Sequence, residues 1–205
     1  MKHDNNNEQL ILEAAEIEFL ENGFKNASTT AIAKRAGVTH AMLHYYYRTK
    51  ENLFKKVFQE KVQILANSFD MVFHENDVFE DIIRNFIEKY FDFIAKNPHL
   101  ESFIYNEITS NADSKKLVLE VMRSKSTHIV SHFEKLIEDE VAKRTIRHIK
   151  IEDLLLNILS LNVFTFMAMP IIKDLMPNQP NEYFENFLIE RKENIVQFIL
   201  NALRM

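Results

Sequence analysis

From Asn7 to Asn22 the run NEQLILEAAEIEFLEN sets Ile11, Ala15 and Phe19 at i, i+4 and i+8, with Glu13, Glu16 and Glu21 off that stripe. This spacing predicts an amphipathic helix. Gly23 follows it, at the place where a helix end most often needs a left-handed residue. Ser28, Thr29 and Thr30 then offer capping hydroxyls to TAIAKRA, which stops at Gly37. Thr39 can cap a short third helix, His40 to Tyr47, and Thr49 a long fourth one that starts at Lys50 and runs to about Glu75. Two helices joined by so tight a turn, the second of them short, have the spacing of a helix-turn-helix.

Beyond Lys61 the pattern predicts further helices without repeats or low-complexity linkers. Breaks are expected at Asn76-Asp77, at Asn97-Pro98, from Asn111 to Ser114 and near Arg147 to Lys150, while Pro170, Pro177 and Pro180 should close the penultimate helix before Asn181 restarts the chain. Leu154 to Met169, LLLNILSLNVFTFMAM, is apolar on nearly every face, as in a helix buried on several sides. The last helix carries Phe184, Phe187, Leu188, Ile195, Phe198 and Ile199 on a broad stripe.

Composition narrows the fold. The 205 residues include only two glycines and four prolines, too few for a sheet protein with its hairpins and bulges, so an all-α fold is expected. After Gly37 there is no glycine at all, which removes dinucleotide fingerprints, phosphate loops and nucleophile elbows. No acid–base pair stands out, so no enzyme is expected. Cysteine is absent, which removes disulfides and thiolate metal sites and fits a reducing compartment. Without an N-terminal signal pattern or an uninterrupted apolar span, the expectation is a soluble, cytoplasmic protein with no membrane role. His128 and His132, four apart, share a helical face, but with no third ligand beside them the reading is a solvated face, with no metal and no cofactor.

Charge changes the picture more. The net charge is −5, yet Phe24 to Lys61 holds eight bases (Lys25, Lys34, Arg35, Arg48, Lys50, Lys55, Lys56, Lys61) and two acids (Glu51, Glu60), leaving 17 bases against 28 acids elsewhere. A basic island on an acidic body is an electrostatic footprint for a polyanion, though a solvated helix face with uneven charge gives the same count. Inside this island the third helix, HAMLHYYY, is dense in groups that suit a metal, a small ligand or a nucleic-acid edge. With Leu43 set inward, a turn of about 100° per residue brings Tyr47 beside it. Ala41 and Tyr45 then point outward, Met42 and His44 flank them, and His40 and Tyr46 lie at the margins. Hydroxyls and imidazoles on that face can reach phosphates or base edges, and Met42 a thymine methyl. The amides and hydroxyls of Thr29 and Thr30, with Lys50 at another helix start, supply candidate phosphate clamps.

Ile11 to Phe54 resembles the TetR/AcrR class of bacterial transcriptional regulators. The likeness lies in Ala14-Ala15 and Phe19, Gly23-Phe24, Thr29-Thr30, Ile32-Ala33, Ala36-Gly37-Val38, Leu43, the aromatic cluster, Lys50-Glu51 and Leu53. The sequence departs from the usual pattern at Ala41, His44 and Tyr47, which bears on the operator sequence rather than the binding mode. The resemblance implies an N-terminal three-helix helix-turn-helix DNA-binding head, residues 1–52, and a larger helical ligand-binding and dimerisation body, residues 53–205. It implies a homodimer on a roughly palindromic double-stranded operator, usually a repressor, with Thr29, Thr30, Thr39, His40, Ala41, Met42, His44, Tyr45, Tyr46 and Lys50 at the DNA. Leu154, Ile158, Leu161, Phe184, Phe187, Ile195 and Phe198 are then the expected dimer surface, the alternative being an intramolecular core. Phe86, Phe103, Phe133, Asn157, Asn162 and Phe166 are candidate walls of an apolar effector pocket, although each alone is as well explained as core. Two other functions stay open: an architectural DNA-binding protein without small-molecule input, and a helical lipid-binding protein.

Overall fold

In the computed structural model the described residues are 2–70 and 78–205, the side chains of 2–5 and 126–129 excepted. They form α1 (Lys2–Asn26), α2 (Thr29–Ala36), α3 (His40–Tyr47), α4 (Lys50–Ser68), α5 (Phe79–Lys96), α6 (Leu100–Ser110), α7 (Ala112–Ala142), α8 (Ile151–Leu175) and α9 (Asn181–Leu203). Apart from one isolated bridge between Ile146 and Arg204, no β-structure occurs among the described residues. The all-α expectation holds. The chain divides into two compact units, residues 1–65 with 102–119, and residues 66–101 with 120–205.

In the first unit both glycines do the work their positions imply. Gly23 kinks α1 near its end at φ 68, ψ 170, and Gly37 ends α2 in the left-handed region at φ 69, ψ 22, its amide reaching Ala33 and Lys34 carbonyls. The stripe Ile11, Ala15 and Phe19 is fully buried with Ile32, Leu43 and Leu53. Aromatic edges lock this core: Phe54 meets Phe19 at 5.0 Å and Phe24 at 4.9 Å between centroids, and Phe103 packs on Phe54 and Phe58. Lys61, almost buried, is paired with Glu16.

In the second unit, α5, α8 and α9 pack on one another around Ile83, Phe86, Phe91, Phe133, Leu154, Ile158 and Ile195. Two charged links tie α5 to α9 at the rim. Arg84 holds Glu193 with its two terminal nitrogens at 2.6 and 3.2 Å, and Lys192 meets Asp92 at 2.9 Å. The Arg147 amide donates to the Leu203 carbonyl at 2.8 Å, stitching the end of α9 to the α7–α8 connection.

Most predicted breaks fall where expected. α5 stops before Asn97-Pro98, Asn111 caps α7 by accepting from the Asp113 and Ser114 amides, and residues 146–150 separate α7 from α8. Two differ. α4 ends at Ser68 rather than near Glu75, and α8 runs through Pro170 to Leu175. A proline costs a helix one amide donor and a steric adjustment, and α8 accommodates it so that the stop falls at Met176, before Pro177. Asn76-Asp77 and the His128 side chain lie outside the described residues.

Candidate nucleic-acid interface

α3 is aimed by its own buried side chains. Leu43 is 1% exposed and Tyr47 7%, while Tyr45 on the opposite face is 67% exposed. Tyr47 is fixed further by donating to Glu8 at 3.4 Å, and burial together with that carboxylate pushes its phenol well above the ordinary range. Thr39 caps α3 by accepting from the Met42 amide at 3.2 Å, and Thr49 accepts from the Asn52 amide at the start of α4. Each capping hydroxyl takes up a donor that the first turn of a helix leaves unsatisfied.

Contacts join several of the expected residues. Thr29 and His40 are 3.1 Å apart, joining the starts of α2 and α3, and the His40 and His44 rings lie 4.8 Å apart. Tyr45 and Tyr46 meet edge to face at 5.4 Å. Thr30, Thr39, His40, Ala41 and His44 are exposed like Tyr45, whereas Thr29, Met42, Tyr46 and Lys50 are half-buried. The Thr29 and Thr30 amides find no acceptor in the chain among the described residues, so the start of α2 presents free N–H groups of the kind that bind anions.

Two residues absent from the expected set shape the site. Glu18 lies on the apolar stripe of α1, one heptad after Ile11, and is 6% exposed; its Oε1 accepts from the Ser28 amide at 3.1 Å and fixes the entry to α2. An acid on a core stripe was the available signal. Arg48, the last residue before Thr49, is exposed and has no side-chain partner among the described residues.

Neutralisation within the basic island is uneven. Arg35 faces Glu21 and Glu18, Lys56 pairs with Glu60 and Lys61 with Glu16. Lys50 donates to the Lys25 carbonyl at 3.3 Å and sits 4.8 Å from the Phe24 ring centroid, so its ammonium holds the end of α1 as well as standing at the start of α4. Lys25, Lys34, Arg48 and Lys55 meet no carboxylate among the described residues.

The remaining candidates are spread more widely. Phe86 and Phe133 are buried core neighbours at 5.5 Å, Phe166 lies 4.8 Å from Phe91, and Phe103 belongs to the first unit. Asn157 is exposed; Asn162 is fully buried, donating to the Ile158 carbonyl at 2.8 Å while its Oδ1 has no partner among the described residues. A groove of about 330 Å³ lies between α8 and α9, walled by Phe164, Ala168, Ile172 and Phe187, with Thr165, Glu190, Arg191 and Asn194 as its polar lining. Arg191 Nε donates to Thr165 there at 3.2 Å.

Of the expected partner surface, Leu154, Ile158, Ile195 and Phe184 are buried within their own chain, and Leu161 packs against that core. The helical stripe that reads as an interface is in these positions the subunit's interior. The exposed apolar residues of the same helices are Leu156, Phe164 (69%), Met167, Ile171 and Leu175 on α8, with Ile189 and Phe198 (63%) on α9. By length and composition α8 is apolar enough to cross a membrane, and only 22% of its most apolar window is buried in the chain.

Comparison with known proteins gives two family matches. Residues 11–57 match the family described as bacterial regulatory proteins, tetR family, and residues 80–199 match the tetracyclin repressor-like C-terminal domain. The chain is 23% identical to the probable HTH-type transcriptional regulator YttP of Bacillus subtilis over 88% of this chain and 87% of that one. It is 25% identical to the fatty acid metabolism regulator protein of the same organism over 55% of this chain and 59% of that one. Its fold is similar to that of HlyIIR, a hemolysin II transcriptional regulator, with a TM-score of 0.58 at 22% identity over 98% of this chain and 99% of that one.

Proposed function

This chain belongs to the TetR family of bacterial regulatory proteins, and we propose that it works in the cytoplasm as a homodimeric repressor that leaves a roughly palindromic operator when an apolar small molecule binds. The observation that carries the reading is the aim of α3. Leu43 and Tyr47 are sunk in the core, so Tyr45, Ala41 and His44 face outward beside the free amides at the start of α2. In this reading residues 1–52 contact DNA and residues 53–205 dimerise and take the effector; no catalytic step is involved.

The exposed apolar residues of α8 and α9 support dimerisation, because large apolar side chains left in water cost hydration until a second copy covers them. Two copies of α3 would then enter successive major grooves about 34 Å apart. The groove between α8 and α9 is the best candidate effector site, with apolar walls and a polar end formed by Arg191, Glu190 and Asn194. A relative named for fatty acid metabolism supports an amphipathic effector.

A salt series of gel shifts, on duplexes that the protein itself selects from a random pool, tests the core of this reading. Sequence-specific binding that weakens steeply with salt is expected, and indifference to all duplexes at low salt would overturn it. Release of the selected duplex by an amphipathic compound separates an effector-controlled repressor from an architectural protein.

A further inference from the structure

α3 ends at Tyr47 and α4 starts at Lys50, so two residues turn the chain. The Thr49 amide donates to the Tyr47 carbonyl at 2.6 Å, and Arg48 between them has φ 63, ψ −51. This is a γ-turn of the positive-φ form, rare because the Cβ of its central residue is crowded. Glycine takes such a conformation without that clash, yet here an arginine does. Its side chain is exposed and meets no carboxylate, carbonyl or ring among the described residues. Arg35, Lys56 and Lys61 of the same island are paired with acids, and Lys50 is held by a carbonyl and a ring.

We infer that Arg48 is a phosphate-contacting residue, presented by the strained turn at the C-terminal end of α3 to the backbone of the same duplex that Tyr45 faces. The inference rests on the DNA-binding reading above. Held strain marks functional positions when the surrounding structure fixes it, and nothing among the described residues makes use of this side chain. The planar guanidinium fork matches phosphate oxygens, and it stands immediately beyond the helix whose outward face is free. The plainer alternative is a cation complementing the negative end of the α3 dipole. That role predicts lost stability on substitution and no change in salt dependence.

Two substitutions separate them: Arg48→Gly, which relaxes the turn and removes the charge, and Arg48→Lys, which keeps the charge. Each is titrated by fluorescence anisotropy against a duplex recovered by the wild-type protein from a random pool, between about 50 and 200 mM salt. Arg48→Gly is expected to raise Tm while weakening binding and flattening the log–log salt slope by about 0.9 for each phosphate that the arginine neutralises. Arg48→Lys is expected to restore the slope. An unchanged slope in Arg48→Gly, beside tight wild-type binding, overturns the inference whatever happens to Tm. Failure of the wild-type protein to recover any duplex overturns the DNA-binding reading and this inference with it.

Discussion

The Ser28 amide donates to Glu18 Oε1 at 3.1 Å, across ten residues of chain and from a carboxylate that is nearly buried. That bond joins the flank of α1 to the residue that caps α2, so the angle at which α2 offers its first amides depends on a charge in the core. Removing the acceptor deprives the part-buried Ser28 amide of its partner in the chain. Glu18→Ala is expected to destabilise the protein by about 1.5–3 kcal/mol, the range for hydrogen bonds to charged groups. Urea denaturation checks it, and a change under about 0.5 kcal/mol would show that water replaces the bond.

Tyr45 makes the opposite case. Two-thirds exposed and on the far side of α3 from Leu43, it contributes little to the fold. Tyr45→Ala should leave the unfolding free energy within about 0.5 kcal/mol of wild type and weaken binding to a selected duplex by about 1–3 kcal/mol. Equal binding by a folded mutant would mean that α3 presents some other face to DNA.

Acid–base behaviour in the second unit centres on Tyr90, which donates to Glu101 at 3.0 Å. Burial raises the Glu101 carboxyl above its ordinary value, against the lowering effect of that bond. A carboxyl whose folded value is raised contributes stability fully below the unfolded value of about 4.3, and loses it as pH rises through the folded value. Glu101→Gln keeps an acceptor for Tyr90 and cannot ionise. Its thermal midpoint should exceed that of wild type at about pH 7, and the gap should shrink as pH falls towards about 4. A gap that widens on acidification would contradict the burial argument.

Dimerisation can be tested at side chains that the subunit does not need. Phe164 and Phe198 are exposed, so Phe164→Glu with Phe198→Glu should leave helicity unchanged. Each phenylalanine covered by a partner is worth about 1.5–3 kcal/mol, counted twice by symmetry, so the dissociation constant should rise by about four orders of magnitude or more. Light scattering behind size exclusion reads this out. Leu154→Ala is the contrast: it opens a cavity in the subunit core at about 2–5 kcal/mol and should show itself first in unfolding.

Much of the first unit was legible because its signals are local. Ser28, Thr39 and Thr49 announce helix starts, Gly23 and Gly37 announce positive φ, and the wheel around Leu43 gives the direction of Tyr45; each depends on chain a few residues away. Arg48 carried no such signal, since an arginine does not advertise a γ-turn. The α8–α9 surface was harder for a physical reason. Leu154 and Phe164 are equally apolar, and periodicity alone cannot tell the side turned to α5 from the side left bare when the helix is apolar nearly all round. Pocket walls are hard to read for the same reason: a phenylalanine lining a cavity and one filling a core, as Phe133 does, have the same neighbours in sequence.

α8 buries two polar side chains beside its apolar core residues and leaves large apolar ones outside. Asn162 and Thr165 are hidden, each returning a hydrogen bond to a carbonyl of its own previous turn, while Leu156, Phe164 and Ile171 face out. Depth and polarity are therefore uncoupled along it, since Leu154 and Ile158 are as deeply buried as Asn162. At the interior Asn162, whose Oδ1 has no partner among the described residues, an apolar replacement of similar volume is expected to raise the thermal midpoint, whereas a charge at the exposed Phe164 is expected to act on self-association in the proposed reading.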